Sequence, residues 1–142
     1  SYYYLGYALT NDDDVERFAK AYWEHLHADD AMNKDIVYAD DPGGAKTLYR
    51  LREGVERRLL ARFGRFPDDP AAAARTQSEI PMLIERTDNH TTPGANVLYL
   101  DGHVKLIKYP GEWPMTEKTV RMLLSRVKSK APLSLAPPLW AN

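Results

Sequence analysis

Apolar positions change their period several times along the chain, and each change marks an element. Residues 2–9 crowd tyrosine, leucine and alanine into a run of high strand propensity, which predicts a β-strand although three adjacent tyrosines blur the alternation. From residue 12 the spacing becomes helical. Val15, Phe18, Ala19, Tyr22 and Leu26 form one stripe of a helix over 12–27. Thr10 or Asn11 is placed to cap it, and Asp12, Asp13 and Asp14 meet the positive end of its dipole. Residues 29–46 read as loop, with Gly43-Gly44 as a turn and Ile36-Val37-Tyr38 as a short apolar piece.

A second helical spacing, Leu48, Leu51, Val55, Leu59 and Phe63, predicts a helix over 48–63 ended by Gly64. Glu53 and Arg57, four apart, would pair on its surface. Gly54 works against this helix by about 1 kcal/mol of propensity. Asp69 then caps, and Pro70 opens, a short helix over 71–76. Residues 80–84 form a strand with Pro81 at an edge or entry position.

Residues 96–100 and 103–109 flank Asp101-Gly102, the signal for a two-residue type I′ hairpin. That turn sets Tyr99 opposite Val104 and Val97 opposite Leu106, as one apolar face. Leu98, Leu100, His103, Lys105 and Ile107 then make a second face, too apolar to stand fully in water. Thr116 caps a last helix over 117–129, striped by Val120, Leu123, Leu124 and Val127. Residues 131–142 are a Pro-rich tail with Trp140 available as an anchor. The expected fold class is α+β, a small antiparallel sheet with a C-terminal Asp-Gly hairpin packed against helices, in one domain over 1–142.

Composition narrows the function classes. The 142 residues suit one core, and 19 basic against 20 acidic side chains leave a formal net charge of -1. There is no global basic excess for nucleic acid or an anionic membrane. The absence of cysteine excludes disulfides, thiol catalysis and thiolate zinc. No apolar run reaches the roughly 18 to 20 residues that cross a bilayer.

Candidate chemistry is sparse. There is no Gly-x-Ser-x-Gly elbow, no His-Glu-x-x-His, no phosphate-binding glycine loop and no dinucleotide fingerprint. His25 and His27, two apart on a helix, diverge. His90, Asp101 and His103 would make a zinc set only if the loop before the hairpin folded back; the structural reading gives Asp101 to the turn and His103 to the sheet. Calcium would draw on Asp40, Asp41, Asp88 and Asp101, with no EF-hand loop to arrange them. The basic segment from Arg50 to Arg58 is interrupted by acids and reads as a salt-bridged surface or a protein contact. No catalytic, cofactor or metal residue is therefore expected, with calcium as the alternative.

One long run carries a resemblance. Asn89-His90-Thr91-Thr92-Pro93-Gly94-Ala95-Asn96-Val97-Leu98-Tyr99-Leu100-Asp101-Gly102-His103-Val104 resembles the C-terminal signature of the prepilin-type H-X9-DG proteins. Tyr49 to Arg57, Gln77 to Pro81 and Lys108 to Pro114 extend the likeness over about the last two thirds of the chain. His90 matches the motif histidine and Asp101-Gly102 its final pair, with ten residues between His90 and Asp101 where the family label has nine. The resemblance implies a type IV pilin-like globular domain, with His90, Asn96, Asp101 and Gly102 as structural residues of the hairpin. It also implies an apolar anchor helix ahead of Ser1, processed by a prepilin peptidase and packed with other pilin-like subunits. The domain would stand on the periplasmic or extracellular face of the cell envelope, anchored in the inner membrane.

Three functions follow as expectations. The first is a non-catalytic subunit of a type II secretion-like pseudopilus or minor pilus, whose exposed face meets neighbours or a secreted protein. The second is an extracellular carbohydrate- or peptide-binding module using Tyr2, Tyr3, Tyr4, Tyr7, Trp113 and Trp140. The third is a small metal-dependent hydrolase built on His90, His103 and a carboxylate.

Overall fold

Four short strands lie side by side in chain order as one antiparallel sheet: β1 (Tyr2–Tyr4), β2 (Pro81–Glu85), β3 (Gly94–Tyr99) and β4 (Val104–Lys108). They belong to a computed structural model that describes residues 2–24, 34–38, 40, 41, 43–87, 91 and 93–128. Among these residues lie three α-helices, α1 (Asp12–Glu24), α2 (Pro70–Gln77) and α3 (Glu117–Lys128), and the fold is α+β. The predicted strand over 2–9 is cut to three residues because the chain turns out of the sheet at Gly6, where φ is 78°. Beyond it Ala8 N donates to Tyr49 O at 2.8 Å, and Leu51 N donates to Gly6 O at 2.9 Å.

The helix starts follow local chemistry. Asn11 caps α1 by accepting from Asp14 N at 2.8 Å. The Asp14 carboxylate reaches back to the amide and hydroxyl of Thr10, at 2.9 and 3.0 Å, a variant of the capping box. Asp69 caps α2 through Ala71 N at 3.0 Å, with Pro70 in the first turn. Thr116 accepts from Thr119 N at 3.3 Å at the start of α3. Asp12 ties the two long helices together by accepting from the hydroxyls of Thr116 and Thr119, at 2.5 and 2.8 Å. His25, Leu26 and His27 lie outside the described residues, as does the tail over 131–142 with Trp140.

The helix predicted over 48–63 does not form. Leu48 and Arg50 instead make isolated β-bridges to Ile36 and Tyr7. Gly54 adopts a left-handed φ of 81°, which a continuous right-handed helix cannot contain. Two short 3-10 turns follow, Val55–Arg58 and Ala61–Phe63, and Gly64 closes the second with φ 65°. Leu48, Val55 and Leu59 are nevertheless fully buried, so the apolar stripe marked burial correctly and conformation wrongly. Glu53 and Arg57 do not pair; Arg52 instead binds Asp35 at 2.8 Å, and Arg50 N donates to the same carboxylate.

The main core lies on one face of the sheet. Tyr3, Ile84, Ala95, Val97 and Ile107 meet Val15, Phe18 and Tyr22 of α1 and Val120 and Leu123 of α3. A second cluster gathers Ala8, Val55, Leu59 and Ile80. Tyr7 sits at the main core's edge, its hydroxyl donating to Lys34 O at 2.8 Å. Burial raises its pKa to about 12, opposed by the nearby Arg50 and aided by Asp35. Because the folded value lies above the ordinary 10, the neutral phenol's contribution is complete below pH 10 and is lost as pH rises toward 12. Urea midpoints are therefore expected to fall over that window in the native chain more steeply than in Tyr7→Phe. Parallel pH profiles would remove Tyr7 as the cause.

Candidate functional site

Gly94 to Val104 of the segment that carries the resemblance supply β3, the loop after it and the first residue of β4, and the pairing of this hairpin departs from the sequence reading by one residue. Leu98 lies opposite Val104, Val97 opposite Lys105, Asn96 opposite Leu106 and Ala95 opposite Ile107. Tyr99 N donates to His103 O at 3.0 Å, and Gly102 N donates to Tyr99 O at 2.9 Å. Three residues, Leu100, Asp101 and Gly102, thus make the loop, in place of a two-residue type I′ turn. This is a turn followed by a left-handed residue, here Gly102 with φ 91°. Asp101 Oδ1 accepts from His103 N at 3.0 Å and lies 2.5 Å from His103 Nδ1. Desolvation alone would raise the Asp101 carboxyl; hydrogen bonds from the His103 amide and ring prevail and hold it below the usual carboxylate range. The His103 ring stacks on Tyr99 with centroids 4.4 Å apart. Gly102→Ala would place a Cβ at that left-handed φ and is expected to cost about 1–2 kcal/mol, read as a lower urea midpoint. An unchanged midpoint would mean the loop relaxes to another turn.

The one-residue shift exchanges the faces. Val104 and Leu106, expected beside Val97 and Tyr99, stand on the opposite face, 61% and 69% exposed, while Ile107 takes the inner position at 3%. Across the outer face runs an apolar row in which Tyr4 lies opposite Leu83, Leu83 opposite Leu98 and Leu98 opposite Val104. Beside it, Tyr2 faces Glu85 and Asn96 faces Leu106. Asn96 joins these two pairs: its amide N and its side-chain Nδ2 both donate to Glu85 Oε2 at 3.0 Å. Glu85 is buried, so these charge-assisted bonds fix β2 to β3. The outer face continues into a groove of about 460 Å³ lined by Pro93, Gly94, Asn96, Leu106 and Lys108 among others.

Of the sequence-derived site residues, Asn96, Asp101 and Gly102 belong to this hairpin, Asn96 within β3 and the other two in its loop; His90, with Asp88, lies outside the described residues. Glu85, the partner of Asn96, was not singled out by sequence reasoning. An acid eleven residues before an asparagine is no local signal, and only the sheet brings the two together. Asp41 accepts from Lys46 N at 2.5 Å and Asp40 pairs with Lys46 Nζ at 3.5 Å, so these acids and Gly43-Gly44 form a local turn. Among the described residues no group of three or more His, Asp or Glu side chains is placed to hold a metal ion. Tyr3 and Tyr7 are in the core, whereas Tyr2 is 63% exposed and Tyr4 is half-buried on the outer face. Among the described residues no helix is long and apolar enough to cross a membrane. No protein-family model, no curated protein and no solved structure matches the chain.

Proposed function

We propose that this domain is the globular part of a pilin-like subunit, a non-catalytic component of a type II secretion-like pseudopilus or minor pilus at the cell envelope. The observation that carries the reading is the outer face of the sheet. Helices α1 and α3 already occupy the inner face. The outer face bears a continuous apolar row from Tyr4 to Val104, with Leu106 and Tyr2 beside it, and Tyr2, Val104 and Leu106 are each more than 60% exposed. Contiguous apolar surface of this kind marks an interaction site. Covering a leucine or valine fully recovers about 1.5–3 kcal/mol, so seating an apolar helix across these strands is favourable.

The occupant proposed is the subunit's own anchor helix, or the same helix of its neighbour in the assembly. A segment joined ahead of Tyr2 enters at the edge strand β1, beside the apolar row. The resemblance of the hairpin sequence to the prepilin-type proteins supports the same occupant. In this reading Asp101 and Gly102 keep the hairpin in register, that register keeps Val104 and Leu106 outward, and Asn96 and Glu85 fix β3 to β2.

The test is the amino-terminal sequence of the native protein purified from the envelope fraction of its source. An apolar stretch of about 20 residues ahead of Tyr2 is the expected result. A native chain that begins at Ser1 and fractionates away from membranes overturns the proposal. A photo-crosslinking residue introduced at Leu106 of the native protein is expected to capture that helix.

A further inference from the structure

A second concavity lies away from the outer face, where the inner side of the hairpin emerges beyond the helices. Its volume is about 560 Å³, within the roughly 300–1,000 Å³ of small-ligand sites. Phe63, Ser78 and Glu79 reach it from the segments around α2, Tyr99 and His103 from the hairpin, and Glu112 and Trp113 from the loop after β4. The aromatic rings are positioned by bonds of their own. Trp113 Nε1 donates to Thr119 Oγ1 at 3.1 Å, and His103 is held between Asp101 and the Tyr99 ring.

The charges of this groove are already matched. Glu79 takes two bonds from Arg65, at 2.5 and 2.9 Å, and Arg65 in turn lies 4.6 Å from the Phe63 ring centroid. Glu112 pairs with Lys105 at 2.5 Å. Paired in this way, the lining has little to offer an ionic ligand, yet each carboxylate keeps lone pairs that accept from hydroxyls. The Ser78 hydroxyl donates to Arg75 O and likewise remains an acceptor. The adjoining backbone is engaged: Tyr99 N with His103 O and Leu100 N with Ile80 O.

We infer that this groove binds a neutral saccharide, with apolar ring faces against Trp113, Phe63 and His103, and hydroxyls donating to Glu79 and Glu112. The site is independent of the helix seat proposed above, since it lies off the outer face and uses none of that face's residues.

The experiment is a ¹H–¹⁵N NMR titration of this chain with three neutral probes: cellotriose, maltotriose and tri-N-acetylchitotriose. At least one is expected to shift the Trp113 indole and the Gly102 and His103 amides in a saturable way. Glu112→Gln, a change at an exposed side chain, is expected to weaken that probe about tenfold, the scale of one lost hydrogen bond to a charged group. Trp113→Leu is expected to weaken it at least as much, and Glu112→Gln carries the test should Trp113→Leu fail to fold. Absence of groove shifts with all three probes overturns the inference. So do shifts confined to Leu98, Val104 and Leu106, affinity unchanged in Glu112→Gln, or saturable groove shifts with a tetra-alanine peptide and none with the saccharides.

Discussion

Asp14→Ala is expected to lower the folding free energy by about 3–5 kcal/mol, the scale for removing one partner of a buried ion pair. Asp14 is 1% exposed and is shared by three parts of the chain. Its carboxylate holds the amide and hydroxyl of Thr10, pairs with Arg17 one turn along α1, and pairs with Arg62 at 2.9 Å from the second 3-10 turn. Arg62 also donates to the carbonyls of Ala45 and Thr47, so the acid and the cation together fasten the loop before Leu48 onto the start of α1. Alanine at 14 would leave a guanidinium that is 19% exposed with carbonyl partners and no counter-charge. A domain of this size has about 5–15 kcal/mol in all, so the variant should unfold at much lower urea and be partly unfolded on modest heating. Asp14→Asn keeps the shape and some hydrogen bonds, and should fall between alanine and the native chain. A loss below about 1 kcal/mol in Asp14→Ala would mean that water replaces the carboxylate and that the network does not hold these segments together.

What the sequence made legible was local. Asn11, Asp69 and Thr116 cap helices because each needs only its neighbours two or three residues on. The burial of Leu48, Val55 and Leu59 was legible because apolar residues go inside whatever the backbone does. The helix drawn through them was not, because the same three- and four-residue spacing is met by successive 3-10 turns once Gly54 has turned left-handed. The long-range ties carry no local trace. Arg62 lies 48 residues from Asp14 and Glu85 eleven from Asn96, and only the finished fold defines these pairs. The hairpin register was ambiguous for a physical reason. Asp-Gly serves both a two-residue turn and a three-residue loop, and alternation decides between them only when one face is polar. Here both faces are apolar, so the choice fell to which strand residue the core accepts, and it accepts Ile107.

The register sets the second large effect, because it decides whether the candidate interaction face is open. Val97→Asp would put a carboxylate at a position with 0% exposure, among the side chains of the main core shared with α1 and α3. An unpaired buried charge costs several kcal/mol, so this variant is expected to lose at least about 4 kcal/mol and to be largely unfolded. Leu106→Asp makes the same chemical change in the neighbouring strand at a side 69% exposed, and should leave the isolated domain within about 0.5–1 kcal/mol of native. With Val97 and Leu106 directly opposite each other on one inner face, as a two-residue turn would place them, both variants would unfold together. Paired urea titrations of the two proteins separate these cases without any knowledge of function. The functional consequence follows from the same pair. A folded Leu106→Asp domain carries a charge in the middle of the proposed helix seat. In the native, full-length protein it should therefore abolish capture of the anchor helix by a photo-crosslinking residue placed at Val104, on the same face, while leaving the saccharide titration at Trp113 unchanged. Full assembly by a folded Leu106→Asp protein would show that the outer face is not where subunits meet.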